Sequence, residues 1–385
     1  MSQDIGYNGM PRIFLSIGAV QKIPDLLKGR GIKKSLLVCG MEVKRKNISG
    51  MVEEVLNNAG ISYIEYCNVP PEPEPMDAEL CRSFAREEAV DCIIGIGGGS
   101  SMDVAKLVAA LIHNNGEVES YIGSDLISNP GIFSIMVPTT AGSGSEVTHN
   151  SVLKLSSQGT KNSVISPYIL PDCAVIDPVM TASMPRLLTA STAMDALSHA
   201  VESYTSSRAN SFSKMFARES ITVIFTNSLG VYKDGTNIAA RQAMSYAAML
   251  AGVAISNTGT TSVHAMGYAL SVLKNISHGL ANALILPAVM RFNAEENPEL
   301  FAALFDAIRP DNKIKSVIKK SDSFISALFE LQKNLGLGGG LKEFGIENSD
   351  LLELSRSAFN VKRSIQNSCR QPDLGEIQRL FNDAS

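Results

Sequence analysis

Residues 91–106 read DCIIGIGGGSSMDVAK. An apolar run that ends in glycines and passes at once into helically spaced apolar residues is the pattern of a β-strand turning into an α-helix. Gly97, Gly98 and Gly99 let the backbone approach an anion closely and reach positive φ. The helix that follows aims unpaired N–H groups and the positive end of its dipole back at the turn. Ser100 is placed to cap that helix, with Asp103 three residues on as in a capping box. A phosphate-cradling loop is one reading and a tight turn with no ligand is the other; glycines alone do not decide between them.

Outward from this turn the alternation continues. Arg12–Ser16, Ser35–Cys39, Ile61–Tyr66 and Ser134–Val137 join Asp91–Gly95 as expected strands. Ile23–Lys28, Val43–Asn58, Asp77–Glu88 and Met102–Ile112 carry apolar residues at helical spacing. Strand–helix alternation predicts a mainly parallel, Rossmann-like sheet covered by helices on both faces. Short runs at Ser151–Lys154 and Ala174–Asp177 are expected to return to that sheet. From Pro185 the texture is helical: Pro185–Thr205, Ser211–Ser228, Ile238–Ser256, Thr261–Leu273, Gly279–Phe292 and further segments to the end. The boundary falls at 178–185, dividing an α/β domain (1–180) from an all-helical one (181–385).

The chain has 385 residues, 45% hydrophobic and 19% charged, enough for two full-sized cores. A net charge of -4 offers no basic footprint for nucleic acid or an anionic membrane surface. The opening MSQDIGYNGM has neither the cationic start nor the apolar stretch of a signal peptide, and no run approaches the roughly 20 apolar residues of a membrane span. Six scattered cysteines without a CxxC pair argue against a thiolate zinc site or a disulfide framework, and suit the cytoplasm.

Two further features bear on chemistry. Val137–Glu146 (VPTTAGSGSE) is a loop of hydroxyls and bare backbone after a strand, suited to a ligand crevice at the sheet's C-terminal edge. In the helical half, Asp195 and His199 stand four apart and so project from one face of a helix. Taken alone, an Asp–His pair at that spacing is more often a surface hydrogen bond. His264 lies early in a later small-residue helix, and His278 opens the next, with Ser277 as its cap. One Asp and three His supply mixed N/O donors suited to Fe²⁺, Zn²⁺, Mn²⁺ or Co²⁺.

Across almost the whole chain, GGGSSMDVAK (97–106), VPTTAGSGSEVT (137–148), AMDALSHAVESY (193–204), VHAMGYAL (263–270) and HGLANALILPAVMRFN (278–293) together resemble the iron-containing, group III alcohol dehydrogenase family. The resemblance implies a dinucleotide-binding α/β domain, a helical metal-binding and substrate domain of the dehydroquinate synthase-like plan, and a metal in the cleft between them. It implies metal ligation by Asp195, His199, His264 and His278, with Fe²⁺ expected and Zn²⁺ or another divalent ion as the alternative. Cofactor contacts are implied at Gly97, Gly98, Gly99, Ser100, Thr139, Thr140, Ser143, Asn150 and Lys161, with Met180 nearby. The expected reaction is hydride transfer between a nicotinamide and a small primary alcohol or aldehyde, the metal polarising the substrate oxygen. Family members commonly form dimers, so a homodimer or higher homo-oligomer is expected.

Three departures qualify this. Many NAD-using members carry Asp just after the second strand, where this chain has Gly40. Loss of that carboxylate, with Lys44, Arg45 and Lys46 close behind, favours NADP(H) over NAD(H); the same residues also read as a solvated helix start, and Glu42 is near. An asparagine frequent in the proline-rich loop is replaced by Glu72. Where relatives often have a histidine four residues after the third ligand, this chain has Tyr268, which either donates a hydrogen bond near the substrate, leaves proton transfer to water and ribose hydroxyls, or only packs. The rival readings are a metal- and NAD-binding lyase of the dehydroquinate synthase type, or a non-catalytic nucleotide-binding relative. Within the reductase reading, functionalised aldehydes such as phosphonoacetaldehyde or lactaldehyde are candidates.

Overall fold

A computed structural model describes residues 6–385 of the chain. They form two compact units: Asn8–Thr140 with Gly144–Ser183, and Ala141–Ser143 with Met184–Ser385 and residues 6–7.

The first unit contains strands β1 (Arg12–Leu15), β2 (Lys34–Val38), β3 (Ser62–Tyr66), β4 (Cys92–Gly97), β5 (Gly123–Ser124), β6 (Phe133–Pro138), β7 (Asn150–Leu155), β8 (Thr160–Ile165) and β9 (Cys173–Ile176). Its helices are α1 (Ile23–Lys28), α2 (Met41–Arg45), α3 (Gly50–Asn58), α4 (Pro75–Glu87) and α5 (Gly99–Leu111). Six strands form one sheet in the order β1-β9-β6-β4-β2-β3, every neighbouring pair parallel.

Alternate residues of the central strands feed two layers. Leu36, Val38, Ile93 and Met136 pack with Cys81 of α4 and Val108 of α5, whereas Leu37, Ile94, Ile135 and Val137 pack with Leu27 of α1 and Leu56 of α3. Burial on both faces is why these strands read as nearly unbroken apolar runs. From β2 the chain goes outward to β3 and then back across to β4, with β6 and β9 beyond it, so the strand order reverses between β2 and β4. In open parallel sheets the crevice past the strands' carboxyl ends at such a reversal is the ligand site. Gly40 follows β2 there, and Gly97 ends β4.

Two expectations need correction. The segment 151–154 does not rejoin the main sheet; β7 and β8 form an antiparallel hairpin in a second sheet with β5. Burial along Asn150–Leu155 alternates residue by residue, the pattern of a strand with one face outward and unlike the strands sealed on both faces. The single helix expected over 43–58 is two, α2 and α3, separated where Asn47 takes a left-handed φ of 53°.

The second unit is helical: α6 (Arg186–Thr205), α7 (Ser211–Lys233), α8 (Ile238–Thr258), α9 (Ser262–Lys274), α10 (His278–Glu296), α11 (Pro298–Ile308), α12 (Val317–Asn334), α13 (Leu351–Asn360), α14 (Lys362–Asn367) and α15 (Leu374–Asp383). Its core is rich in alanine, including Ala193, Ala196, Ala200, Ala247, Ala251 and Ala254. Small side chains let the helices of this unit lie close and bury polar residues between them. Helix α8 is long and apolar enough to cross a bilayer, but 72% of its apolar window is buried inside this unit, as in a core helix.

Candidate metal centre and dinucleotide loops

Helix α6 begins after Pro185, runs for 20 residues, and is buried around most of its circumference. Asp195 and His199 lie one turn apart along it, at 4% and 6% exposure. Helix α9 starts after Gly259, and places His264 at its third position, 1% exposed. Asn275, left-handed at φ 59°, ends α9 and lets the chain turn into α10, whose first residue is His278. Ser277 occupies the N-cap position as expected but makes no side-chain capping bond.

These three helices bring one donor atom each from Asp195, His199, His264 and His278 to within 4.8 Å of one another. His264 Nε2 lies 3.0 Å from His199 Nε2, and His278 Nε2 lies 3.9 Å from Asp195 Oδ1. Four donors held about 2.1 Å from a common centre in tetrahedral array stand roughly 3.4 Å apart, so the spacing fits a transition-metal ion. The donor set, three imidazoles and one carboxylate, fits the same class of ion.

Asn282, one turn after His278 on α10 and fully buried, was not singled out from the sequence. Its Nδ2 lies 2.9 Å from Asp195 Oδ1, 3.1 Å from His264 Nε2 and 3.2 Å from His278 Nε2. The i, i+4 spacing from His278 was the available signal, but asparagine on an alanine-rich helix also reads as a stray polar residue. Glu202 was missed in the same way; it lies three residues after His199 and contacts His264 Nδ1. Tyr268 is 8% exposed and its ring stacks on His278 at a centroid separation of 5.5 Å, edge-on to His264 at 6.0 Å.

The electrostatics favour ligation. Burial pushes the Asp195 carboxyl up, but His199, His278, His264 and the Asn282 amide outweigh it and hold the group below its ordinary value. Burial, the largest influence on His199, holds that imidazole below its ordinary value despite Asp195. An ionised carboxylate beside a neutral imidazole is the protonation state a cation requires.

In the α/β unit the glycine turn is as the sequence suggested at one glycine: Gly97 has φ 153°, and a Cβ there would meet Ser101 Oγ at 2.6 Å. The expected capping box is absent. Helix α5 starts at Gly99 with Gly98 as its N-cap, and the Ser100 hydroxyl donates to Pro71 O of the proline-rich loop. Asp103 instead accepts from Ser145 Oγ at 2.5 Å and Val152 N at 2.9 Å. Fully buried Lys106 donates to Ser145 O at 2.9 Å, Thr148 Oγ1 at 2.9 Å and Asn150 O at 2.6 Å. A charged pair in the apolar run of α5 thus pins the second loop, a role sequence spacing did not reveal. That loop also meets the first directly, Thr139 N donating to Gly97 O at 2.9 Å.

Of the expected dinucleotide contacts, Gly40, Gly97, Gly98, Gly99, Ser100, Thr139, Thr140, Asn150, Lys161 and Met180 belong to the α/β unit and Ser143 to the helical one. Thr140 lies beside Gly98, its Oγ1 3.4 Å from where a Cβ would stand. Lys161, on β8, is 7% exposed and paired with Glu72. Met180 is 1% exposed and packed in the layer that holds Cys39 and Val137. Of the basic residues behind Gly40, Lys44 Nζ is held by Glu65 at 2.6 Å and Glu53 at 3.0 Å, and Arg45 is paired with Glu42.

Comparison with known proteins returns one family in both halves. Residues 11–178 match the family model for iron-containing alcohol dehydrogenase, and residues 189–385 match that for the C-terminal part of the Fe-containing alcohol dehydrogenase family. A sulfoacetaldehyde reductase of Bilophila wadsworthia is 32% identical, with 96% of each chain covered. A 1,3-propanediol dehydrogenase of Citrobacter freundii is also 32% identical, again over 96% of each. The crystal structure of a 1,3-propanediol oxidoreductase superposes with a TM-score of 0.95 at 31% identity, covering 100% of both chains.

Proposed function

The chain belongs to the iron-containing alcohol dehydrogenase family, and from that premise we propose that it interconverts a small primary alcohol and its aldehyde with a nicotinamide dinucleotide as hydride carrier. The observation that carries the proposal is the convergence of buried Asp195, His199 and His264 with half-buried His278 from three helices.

In this reading the helical unit holds the metal and the α/β unit the dinucleotide. Asp195, His199, His264 and His278 would hold a divalent cation, Fe²⁺ on the family's pattern. When bound, that cation supplies Lewis acidity towards the substrate oxygen, and the nicotinamide supplies or takes the hydride. The chain's own part is placement. Asn282 donates to Asp195 and keeps its carboxylate turned into the cluster. Burial of Asp195, His199 and His264 strengthens each charge interaction among them, while the His278 side chain stays 27% exposed. The Tyr268 ring stacks on His278 with centroids 5.5 Å apart; packing against that imidazole is the role we assign it. Gly98 and Thr140 form the wall of the phosphate loop, and Lys106 keeps the backbone of Asn150 in register with it.

For the substrate, the relatives named for sulfoacetaldehyde and 1,3-propanediol support a short aldehyde with a polar far end. For the cofactor, we propose a preference for NADP(H). Its support is the missing carboxylate at Gly40 and Lys46, since Lys44 and Arg45 are engaged by their own carboxylates. A homodimer in the cytoplasm completes the proposal.

The test is metal analysis of the purified protein, then a panel of short alcohols and aldehydes, including lactaldehyde, sulfoacetaldehyde and phosphonoacetaldehyde, with NADH and NADPH separately. Turnover that vanishes with chelation and returns with Fe²⁺ supports the proposal. Full activity in metal-free His278→Ala protein would sink it.

A further inference from the structure

Helix α6 carries a third ionisable group on the stripe that bears two of the metal donors. Glu202 follows Asp195 by seven residues and His199 by three, so all three share a helix face. It is 0% exposed, and a buried carboxylate is costly unless its oxygens are satisfied.

Both oxygens are. Oε1 accepts from Thr261 N at 2.9 Å, Thr261 Oγ1 at 2.5 Å and His264 N at 3.3 Å. Thr261 is the N-cap of α9 and makes no capping bond with its own side chain. Glu202 reaches across from α6 and caps α9 in its place, where exposed N–H groups and the helix dipole favour an anion. Oε2 is in short contact with His264 Nδ1, while His264 Nε2 faces His199 Nε2.

The two contacts fix different things. Capping sets where the backbone of His264 lies relative to α6. The ring contact sets how the imidazole is turned and which nitrogen carries its hydrogen. An ionised carboxylate only accepts, so Nδ1 must be the N–H and Nε2 keeps its lone pair. A carboxylate behind a ligating histidine orients the ring and raises its basicity.

We propose that Glu202 is a positioning residue, which presents His264 Nε2 bare and correctly turned to a divalent cation while locking α9 to α6. The inference rests on the metal-centre reading above.

Glu202→Gln separates positioning from mere capping. Gln is isosteric, and its carbonyl oxygen can still accept from Thr261 and His264 N. Its amide nitrogen then faces Nδ1 as a donor, and forces the hydrogen of His264 onto Nε2, the atom that should bind metal. If Glu202 were only a cap, the variant would bind metal as wild type does.

The measurement is titration of the full-length apoprotein with Co²⁺ against a competing chelator, with the visible ligand-field spectrum recorded alongside. Glu202→Gln should bind Co²⁺ about 10- to 100-fold more weakly than wild type, with an altered spectrum, while its melting temperature and NADPH binding stay near wild type. If it does not fold, Thr261→Val replaces it: loss of one hydroxyl bond to the carboxylate should weaken Co²⁺ by roughly 3- to 10-fold. Co²⁺ affinity within about threefold of wild type in folded Glu202→Gln, or unchanged affinity in Thr261→Val, overturns the proposal. A wild-type protein that binds no Co²⁺ overturns the metal-centre reading itself, and this inference with it.

Discussion

Helix α9 passes so close to α10 at Gly267 that a Cβ added there would stand 2.0 Å from Asn282 Oδ1. The absent side chain makes room for the amide that donates to Asp195. Gly267→Ala should therefore displace Asn282 and weaken divalent metal binding about tenfold, as loss of an outer partner of a metal ligand commonly does. Asn282→Ala should do the same by deleting the amide. Chelator competition reads both, and wild-type affinity in either variant refutes the relationship.

Four donors that share one cation, as we propose, would act as a unit, so removing one should cost far more than its share. His264→Ala is expected to lower retained metal by at least about 100-fold and to abolish turnover, while equilibrium binding of NAD(P)H to the apoprotein persists. Elemental analysis of the dialysed protein, paired with cofactor fluorescence, checks both halves. Metal retained at wild-type stoichiometry would count against ligation by His264.

Glu146 sits in the second loop at 3% exposure, and burial pushes its carboxyl up to about 7, against the pull of Lys106. Between the ordinary carboxylate range and that value the folded chain holds a proton the unfolded chain has lost. The stability contribution is therefore fully present below about pH 4.5 and declines as pH rises to about 7, by roughly 3 kcal/mol at ~1.4 kcal/mol per pH unit. Glu146→Gln should flatten that slope. Urea unfolding of both proteins at several pH values between 4.5 and 7.5 measures it, and parallel profiles would exclude the assignment.

At Gly40 the backbone is ordinary extended chain, φ -88°, and a Cβ would lie 3.1 Å from Val69 O. Aspartate there needs Val69 O to give by a few tenths of an ångström, and would bring a carboxylate to the place where a ribose 2′-phosphate is proposed. Gly40→Asp should lower the ratio of kcat/KM for NADPH over NADH by about tenfold or more. A ratio that does not move means the adenosine ribose lies elsewhere.

What the sequence made legible follows from how each signal arises. The parallel sheet was readable because strands buried on both faces, such as Cys92–Gly97, must be apolar throughout. The candidate metal donors were readable because the chain has only five histidines and because the motifs around Asp195, His199, His264 and His278 match a family pattern; spacing alone did not show that they converge. Ser100 was misread because the helix starts earlier than its glycines suggest: Gly98 takes the N-cap position and Ser100 already lies in the first turn. The hairpin of β7 and β8 was misplaced because a short apolar run does not name its partner strand. Glu202 escaped because its partner Thr261 lies 59 positions away; Asn282 stands four residues from His278, but its bond to Asp195 spans 87 positions, and no local pattern encodes that meeting.

The path of the backbone through Ala141–Ser143 has a consequence for how the protein is made. Those three residues belong with the helices, and Ala141 is part of their core at 5% exposure, yet they are flanked on both sides by residues of the sheet unit. As the ribosome releases the chain from its N-terminus, the sheet unit is complete by Ser183, before any of α6 exists. The tripeptide must then wait for the helices among which it is counted. Cutting the gene at 183 would leave the second half missing a piece of its own interior. The two halves are thus products of one continuous synthesis, and separate expression of 184–385 should give a less stable protein than its share of the whole would suggest.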